Sequence, residues 1–292
     1  MAVVKKLGFT LVLYSLIRRG NTEVNRLLRW FLFFCCFLPG IVSAEKEADP
    51  LMDALVSTFK ITNKDSTATC FIVSRLATSG SNQQELILVT AAHVLEKMSG
   101  DECHIVLRKK DADGVYSKVE VPVVIRANEQ PLWVKHPDVD VAVMRLNLPA
   151  ECSIAALDFE QLLGKEKSKN ASLRIADEVC LLTYPAQLEA SSAGFPILRR
   201  GTVASFPLLP IDNNKTFLVD YHSFGGDSGG PVMIRGNQAE EGSLIVGLVI
   251  GKQRETTKMI SEIEERTVHR SLGLGIVVHA AFIRQAIALL PE

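Results

Sequence analysis

The sequence predicts an all-β protein, a barrel or a sandwich, and three observations carry that prediction. From Glu45 onward the chain is a succession of short apolar runs rich in β-branched residues, each of strand length. Turn-forming stretches such as "SGSNQQ", "DADG" and "DNNK" separate them. Helical patterns of the length a parallel α/β fold needs between its strands are missing.

Taken in order, the chain opens with a different texture. Residues 1–44 carry Lys5, Lys6, Arg18, Arg19, Arg26 and Arg29 against Glu23 alone. Within them, "RLLRWFLFFCCFLPGIVSA" has a basic start, an apolar stretch Trp30–Leu38, a helix-breaking Pro-Gly and small residues at Ser43 and Ala44. Those are the parts of a secretory signal peptide with cleavage near Ala44. The apolar stretch is short for a membrane span. An earlier apolar run, "LGFTLVLYSLI", leaves two further readings open: a start codon downstream of Met1, or a segment retained as an anchor. Residues 1–44 are therefore a signal peptide or N-terminal anchor, and residues 45–292 the working domain. The expected location is secreted or periplasmic, with membrane anchoring as the alternative.

The strands expected next are "TATCFIVSRL", "ELILVTAA", "CHIVLRK", "KVEVPVVIRA", "VDVAVMRL", "EVCLLTY", "GTVASFPL", "KTFLVDY", "GPVMI", "LIVGLVIG" and "LGIVVHA". Two stretches have helical spacing instead. "HAAFIRQAIALL" at the C-terminus should pack as a helix on the last strand. "ETTKMISEIEERTVHR", charged with a thin apolar stripe at Met259, Ile260 and Ile263, reads as a helical surface insertion.

Charge narrows the function. The formal charge of −1 for 292 residues conceals a basic N-terminal segment and a remainder with 26 basic against 32 acidic residues. A body of that sign suits neither nucleic acid nor an anionic membrane surface. Four cysteines remain after the leader, Cys70, Cys103, Cys152 and Cys180, an even number that permits two disulfides in an exported domain. Their spacing forms no CxxC or Cys/His cluster, so no metal site is expected. No cofactor motif is present either.

The chemistry gathers at three separated residues. Ser228 sits among four glycines in "FGGDSGGPV". His93 follows a β-run in "LVTAAHVLEK", and Asp140 opens an apolar run in "HPDVDVAVMRL". A serine hydroxyl needs an adjacent base to become a nucleophile. Imidazole, which titrates near neutrality, is suited to take and return that proton. A carboxylate on its other nitrogen fixes the tautomer and stabilises the imidazolium.

With "TAAH" at the histidine, "DVAVMRL" at the aspartate and "GGDSGGPV" at the serine, in the order His93, Asp140, Ser228, the chain resembles the chymotrypsin-like (trypsin-fold) serine peptidases, bacterial members in particular. The resemblance spans about Cys70 to the C-terminal helix. It implies two six-stranded antiparallel β-barrels with a C-terminal α-helix, a barrel boundary near residues 150–175, and the site in the cleft between them. It implies an endopeptidase working through an acyl-enzyme on protein or peptide substrates, as a monomer without membrane contact once the signal is cleaved. Backbone amides of Gly226 and Ser228 become the oxyanion donors. Asp138, also near that strand's start, matches the pattern less well than Asp140.

The same resemblance raises four further expectations. The aspartate matching Asp227 pairs with a freed N-terminus in members activated by cleavage, but no Ile-Val-Gly-Gly-like sequence follows "SAEKEADP". Asp227 therefore has another partner or simply holds its turn, without zymogen control. His222, six residues before Ser228, falls where the family sets specificity, with Ile250 and Lys252 on the pocket wall. His222 and Lys252 together would favour an acidic side chain and disfavour Lys or Arg. Cys70 precedes the histidine loop and Cys103 follows it, so a Cys70–Cys103 bridge would brace that loop and leave Cys152–Cys180 as the second pair; the alternative is four buried free thiols. The alternative function is a catalytically silent trypsin-fold binding or scaffold protein. An α/β-hydrolase reading of "GDSGG" fails on the absent α/β pattern and on the residue order.

Overall fold

Alternation along the strands is visible in "TFLVD", where Phe217 and Val219 are buried while Thr216 and Asp220 face solvent. The computed structural model describes residues 50–291 except 65, 77–83, 149–153, 166–172, 235–243 and 261–263. The N-terminal targeting segment expected from the sequence and Cys152 lie outside the described residues.

The first half begins with a short helix, α1 (Pro50–Ser57), and continues through β1 (Thr58–Thr62), β2 (Thr67–Leu76) and β3 (Gln84–Thr90). A second short helix, α2 (Ala92–Lys97), precedes β4 (Glu102–Lys110), β5 (Tyr116–Val124), β6 (Arg126–Ala127), β7 (Gln130–Pro131), β8 (Val134–Lys135) and β9 (Ala142–Arg145). With β10 (Leu157–Asp158) these build an eight-stranded sheet in the order β5-β4-β1-β2-β3-β9-β8, β10 lying parallel beside β2 and β6–β7 forming a separate ribbon.

The second half starts at β11 (Glu178–Thr183) and runs through β12 (Ile197–Val203), β13 (Thr216–Asp220), β14 (Pro231–Ile234), β15 (Leu244–Ile260) and β16 (Glu265–His279). These six close into a barrel in the order β11-β12-β13-β16-β15-β14. Closure leaves no free edge for another chain to pair with. A last helix, α3 (Ala280–Ala288), follows β16 directly. The all-β architecture with a closed six-stranded barrel, a large sheet and a C-terminal helix is the fold the sequence predicts.

One apolar cluster joins the halves, from Phe71 and Leu88 on the sheet to Val179, Val249 and Ile283 on the barrel and α3. Burying a side chain of that size contributes about 1.5–3 kcal/mol before ordering costs. Helix α3 returns to the first half: Arg284 donates to the carbonyls of Phe159 and Leu162 at 3.0 and 3.2 Å, and Arg75 donates to the Ile287 carbonyl at 3.3 Å.

Two expectations are corrected. "ETTKMISEIEERTVHR" is not a helix: its described residues extend β15 and β16 as an antiparallel ribbon beyond the barrel. Cross-strand chemistry explains the outcome. Glu255 faces Arg270 in the register, the Thr256 hydroxyl meets His269 Nδ1 at 2.9 Å, and Lys258 pairs with Glu265 at 3.3 Å.

The second correction is the Cys70–Cys103 bridge. Both are buried thiols. Strand β1 lies between β2, which carries Cys70, and β4, which carries Cys103. Two strand spacings separate their backbones by roughly 9 Å, beyond the roughly 7 Å a disulfide spans between Cα atoms. Burial pushes the Cys70 thiol well above its usual pKa and the Cys103 thiol up to about 12, so neither is a ready thiolate.

Candidate active site

Strand β3 ends at Thr90, and His93 stands on the first turn of α2. That helix has no side-chain cap from its own Ala91. Asp140 supplies one from a distance: its Oδ1 accepts the His93 backbone N–H at 2.9 Å, satisfying an amide that a helix start leaves open. Its Oδ2 lies 2.5 Å from His93 Nδ1, so one carboxylate fixes both the backbone and the ring. Val139 and Val141 on either side of Asp140 are buried, and Val141 N–H donates to the Val139 carbonyl at 2.9 Å. Asp138 turns elsewhere, pairing with Lys215 at 3.1 Å.

His93 Nε2 lies 3.1 Å from Ser228 Oγ. The three residues predicted as a triad are thus brought together by β3–α2, the turn before β9 and the turn before β14. Burial works to raise the Asp140 pKa, but hydrogen bonds from the His93 ring and amide and the nearby Lys135 charge outweigh it. The carboxyl is held below its usual value. It is therefore ionised wherever imidazole titrates.

The turn carrying Ser228 is clamped from behind. Thr69 N–H donates to the Ser228 carbonyl at 3.0 Å, and Thr69 Oγ1 donates to the Gly226 carbonyl at 2.8 Å. Thr69 Oγ1 also accepts the Tyr184 N–H at 3.1 Å, and Thr90 Oγ1 donates to the Thr69 carbonyl at 2.8 Å. Two glycines are required by this packing. Gly226 has φ +96°, and a Cβ there would meet the Tyr184 carbonyl oxygen at 2.2 Å. Gly229 has φ +89°, and its Cβ would meet the Thr69 oxygen at 1.9 Å. Among the described residues, the Gly226 and Ser228 amides, the expected oxyanion donors, have no acceptor.

Asp227 is buried, and its partner is Arg199 on β12, with 2.5 Å between Nη2 and Oδ1 in an ion pair off the angle of a hydrogen bond. Its Oδ2 accepts the Phe224 N–H at 2.8 Å. Arg199 is itself held by the Thr183 hydroxyl at 2.8 Å and the His222 carbonyl at 2.7 Å. Of the three expected pocket residues, two lie together beside Ser228. Ile250 and Lys252 line a groove of about 440 Å³ that also contains His93, Gly226 and Ser228. His222 does not line it; the side chain is exposed, with its ring 4.9 Å from Phe224. Buried Ser223, the next residue, lines the groove instead.

Thr69, Thr90, Tyr184 and Arg199 escaped sequence reasoning. Thr69 and Thr90 lie inside the runs "TATCFIVSRL" and "ELILVTAA", where a threonine reads as an ordinary strand residue. The available signal for Arg199 was a buried-side aspartate in "GGDSGG" that lacked a partner nearby in sequence. Among the described residues no cluster of side chains could hold a metal ion.

The family model of the trypsin-like peptidase domain matches residues 68–239, a span that contains His93, Asp140 and Ser228. No curated protein matches the chain. Among solved structures, the crystal structure of Rv3671c from M. tuberculosis H37Rv, a serine-to-alanine mutant in its inactive form, is similar at a TM-score of 0.45 and 17% identity, over 82% of this chain and 89% of that one. The family match covers more than half of the 292 residues, and the chain belongs to the trypsin-like peptidase domain family.

Proposed function

We propose that the chain is a serine endopeptidase that hydrolyses peptide bonds through an acyl-enzyme. The observation that carries the reading is His93, with one ring nitrogen 2.5 Å from Asp140 and the other 3.1 Å from Ser228. Ser228 Oγ attacks the scissile carbonyl carbon while His93 Nε2 takes the hydroxyl proton. Asp140 keeps the ring in the tautomer whose Nε2 is free to accept and stabilises the resulting imidazolium. The Gly226 and Ser228 amides donate to the oxyanion of the tetrahedral intermediate. Collapse breaks the C–N bond, and the imidazolium returns the proton to the leaving amine. Water, deprotonated by the same histidine, then hydrolyses the Ser228 ester and restores the hydroxyl.

A fluorophosphonate probe tests this directly, by comparing wild type with Ser228→Ala and His93→Ala. Wild type should label, Ser228→Ala should not, and His93→Ala should label at least about 100-fold more slowly. Equal labelling of wild type and Ser228→Ala would sink the nucleophile assignment. Absence of labelling in folded wild type would favour a silent trypsin-fold binding protein.

The proposal includes export, as a secreted or periplasmic monomer. It rests on the basic start, the Trp30–Leu38 apolar stretch and the small residues at Ser43 and Ala44. The buried thiols of Cys70 and Cys103 lend it no support. N-terminal sequencing of the mature chain should begin near residue 45; a mature chain that starts at Met1 contradicts cleavage.

A further inference from the structure

The groove beside Ser228 carries an unbalanced charge. Lys97, on the last turn of α2, lines it together with Lys252 and Arg254 on β15. Among the described residues that line it, no carboxylate appears. None of these three cations has an ion-pair partner among the described residues. Lys252 is the best placed of them. It is half-buried, and its ammonium donates to the Ser223 carbonyl at 3.3 Å, which aims it at the groove and leaves two of its three N–H donors uncommitted. Lys97 and Arg254 are more exposed than Lys252.

A half-buried ammonium anchored only by a carbonyl is incompletely compensated, because part of its hydration is lost and no counter-charge replaces it. The same position repels a basic substrate side chain and rewards an anionic one. Phe224, Ile250 and Ile276 supply apolar surface for the methylenes that lead to a terminal charge.

We propose that this groove selects peptides with an acidic side chain immediately before the cut, its carboxylate seated on Lys252, with Lys97 and Arg254 adding attraction. The inference rests on the peptidase reading and adds the substrate class to it. It differs from the sequence expectation in its residues: His222 has no part, and Lys252 acts with Ser223 behind it. The carboxylate could come from a Glu or Asp side chain or from a chain terminus. The acidic side chain is the better fit, because the groove is lined both by the 223–226 turn and by His93, Val94 and Lys97 of α2, a lining that extends beyond what a single chain terminus needs.

Matched peptides with blocked ends, differing only in Glu against Gln before the scissile bond, test this in kcat/KM. A parallel pair compares free with amidated C-termini on a Gln peptide. The ratio within one enzyme preparation is insensitive to how much of it is active, so a partly misfolded variant still reports. Wild type should favour Glu over Gln by about tenfold or more, the size of one charge-assisted contact. Raising salt from about 0.05 to about 0.5 M should shrink the preference, since the exposed cations are screened. Lys252→Gln should bring the ratio near one, and Lys252→Glu should invert it toward a Lys peptide. Lys97→Gln and Arg254→Gln should lower it by less than Lys252→Gln does. A wild-type ratio near one in enzyme that labels with fluorophosphonate and cleaves peptides overturns the inference and leaves the peptidase reading standing. So does a preference that follows the free C-terminus, or one that survives in Lys252→Gln. Failure to label or cleave anything overturns both.

Discussion

At the scale of single residues, the site depends on atoms that lack a side chain as much as on those that have one. In the proposed mechanism the Gly226 amide donates to the oxyanion, and glycine is needed there because φ is +96° and the Tyr184 carbonyl occupies the space a Cβ would need. Gly226→Ala therefore cannot keep the turn as it stands. A 2.2 Å approach to a backbone oxygen forces displacement, and the amide moves with it. The expected outcome is a fall in kcat of about 100- to 1000-fold, the typical effect of losing one oxyanion donor. The rate should be normalised to folded protein, since the same clash also lowers stability. A folded Gly226→Ala within about tenfold of wild type would remove this amide from the mechanism. Asp227 belongs at the same scale. Its carboxylate is neutralised by Arg199 within the barrel, so holding the turn needs no new chain terminus.

At the scale of elements, the sequence was most legible where a strand had one possible surrounding. "TFLVD" and "PVMI" alternate or run apolar, and they appear as β13 and β14. The His93, Asp140 and Ser228 motifs were legible because each is a short distinctive stretch at the edge of a β-run. The charged stretch after Lys252 was misread because Met259, Ile260 and Ile263 fit a helical stripe as well as a strand. What decides it is pairing: a ribbon forms when the partner strand already leaves the barrel in register, and β16 does so from Leu274 to Val278. No local pattern in "ETTKMISEIEERTVHR" contains that information. The Cys70–Cys103 bridge failed for a related reason. Each cysteine was placed correctly on a strand, but strand order is not strand sequence, and β1 inserts between them. Thr69 was illegible because its role is contact with a turn more than 150 residues away, through a hydrogen bond to the Gly226 carbonyl.

At the scale of the whole molecule, partly buried ion pairs and one buried histidine that stays uncharged set how the fold responds to pH. Glu189, in the second half, pairs with Lys60 at 2.9 Å and Lys118 at 3.1 Å in the first. Glu85 on β3 joins Arg75 on β2 and Arg145 on β9. Burial opposes ionisation at both carboxylates, yet their basic partners outweigh it and hold both pKa values below the usual range. Their stabilisation is present above the ordinary carboxylate pKa and is lost only as pH falls through the lowered folded values. His279 acts in a higher window. It caps the junction of β16 and α3, its ring lies 4.8 Å from Phe217, and its Nε2 is buried with no hydrogen-bond partner. Burial lowers its pKa from 6.5 to about 4. The unfolded chain then binds a proton below about pH 6.5 that the folded chain refuses until about pH 4, so stability falls with falling pH across that interval. The full loss is on the order of 3 kcal/mol. Urea unfolding at about pH 7, 6 and 5 should show this decline before the carboxylates contribute. His279→Leu, close in volume and unable to take a proton, should flatten the slope between pH 7 and 5. Equal slopes in wild type and His279→Leu would mean that another group controls the acid sensitivity of this fold.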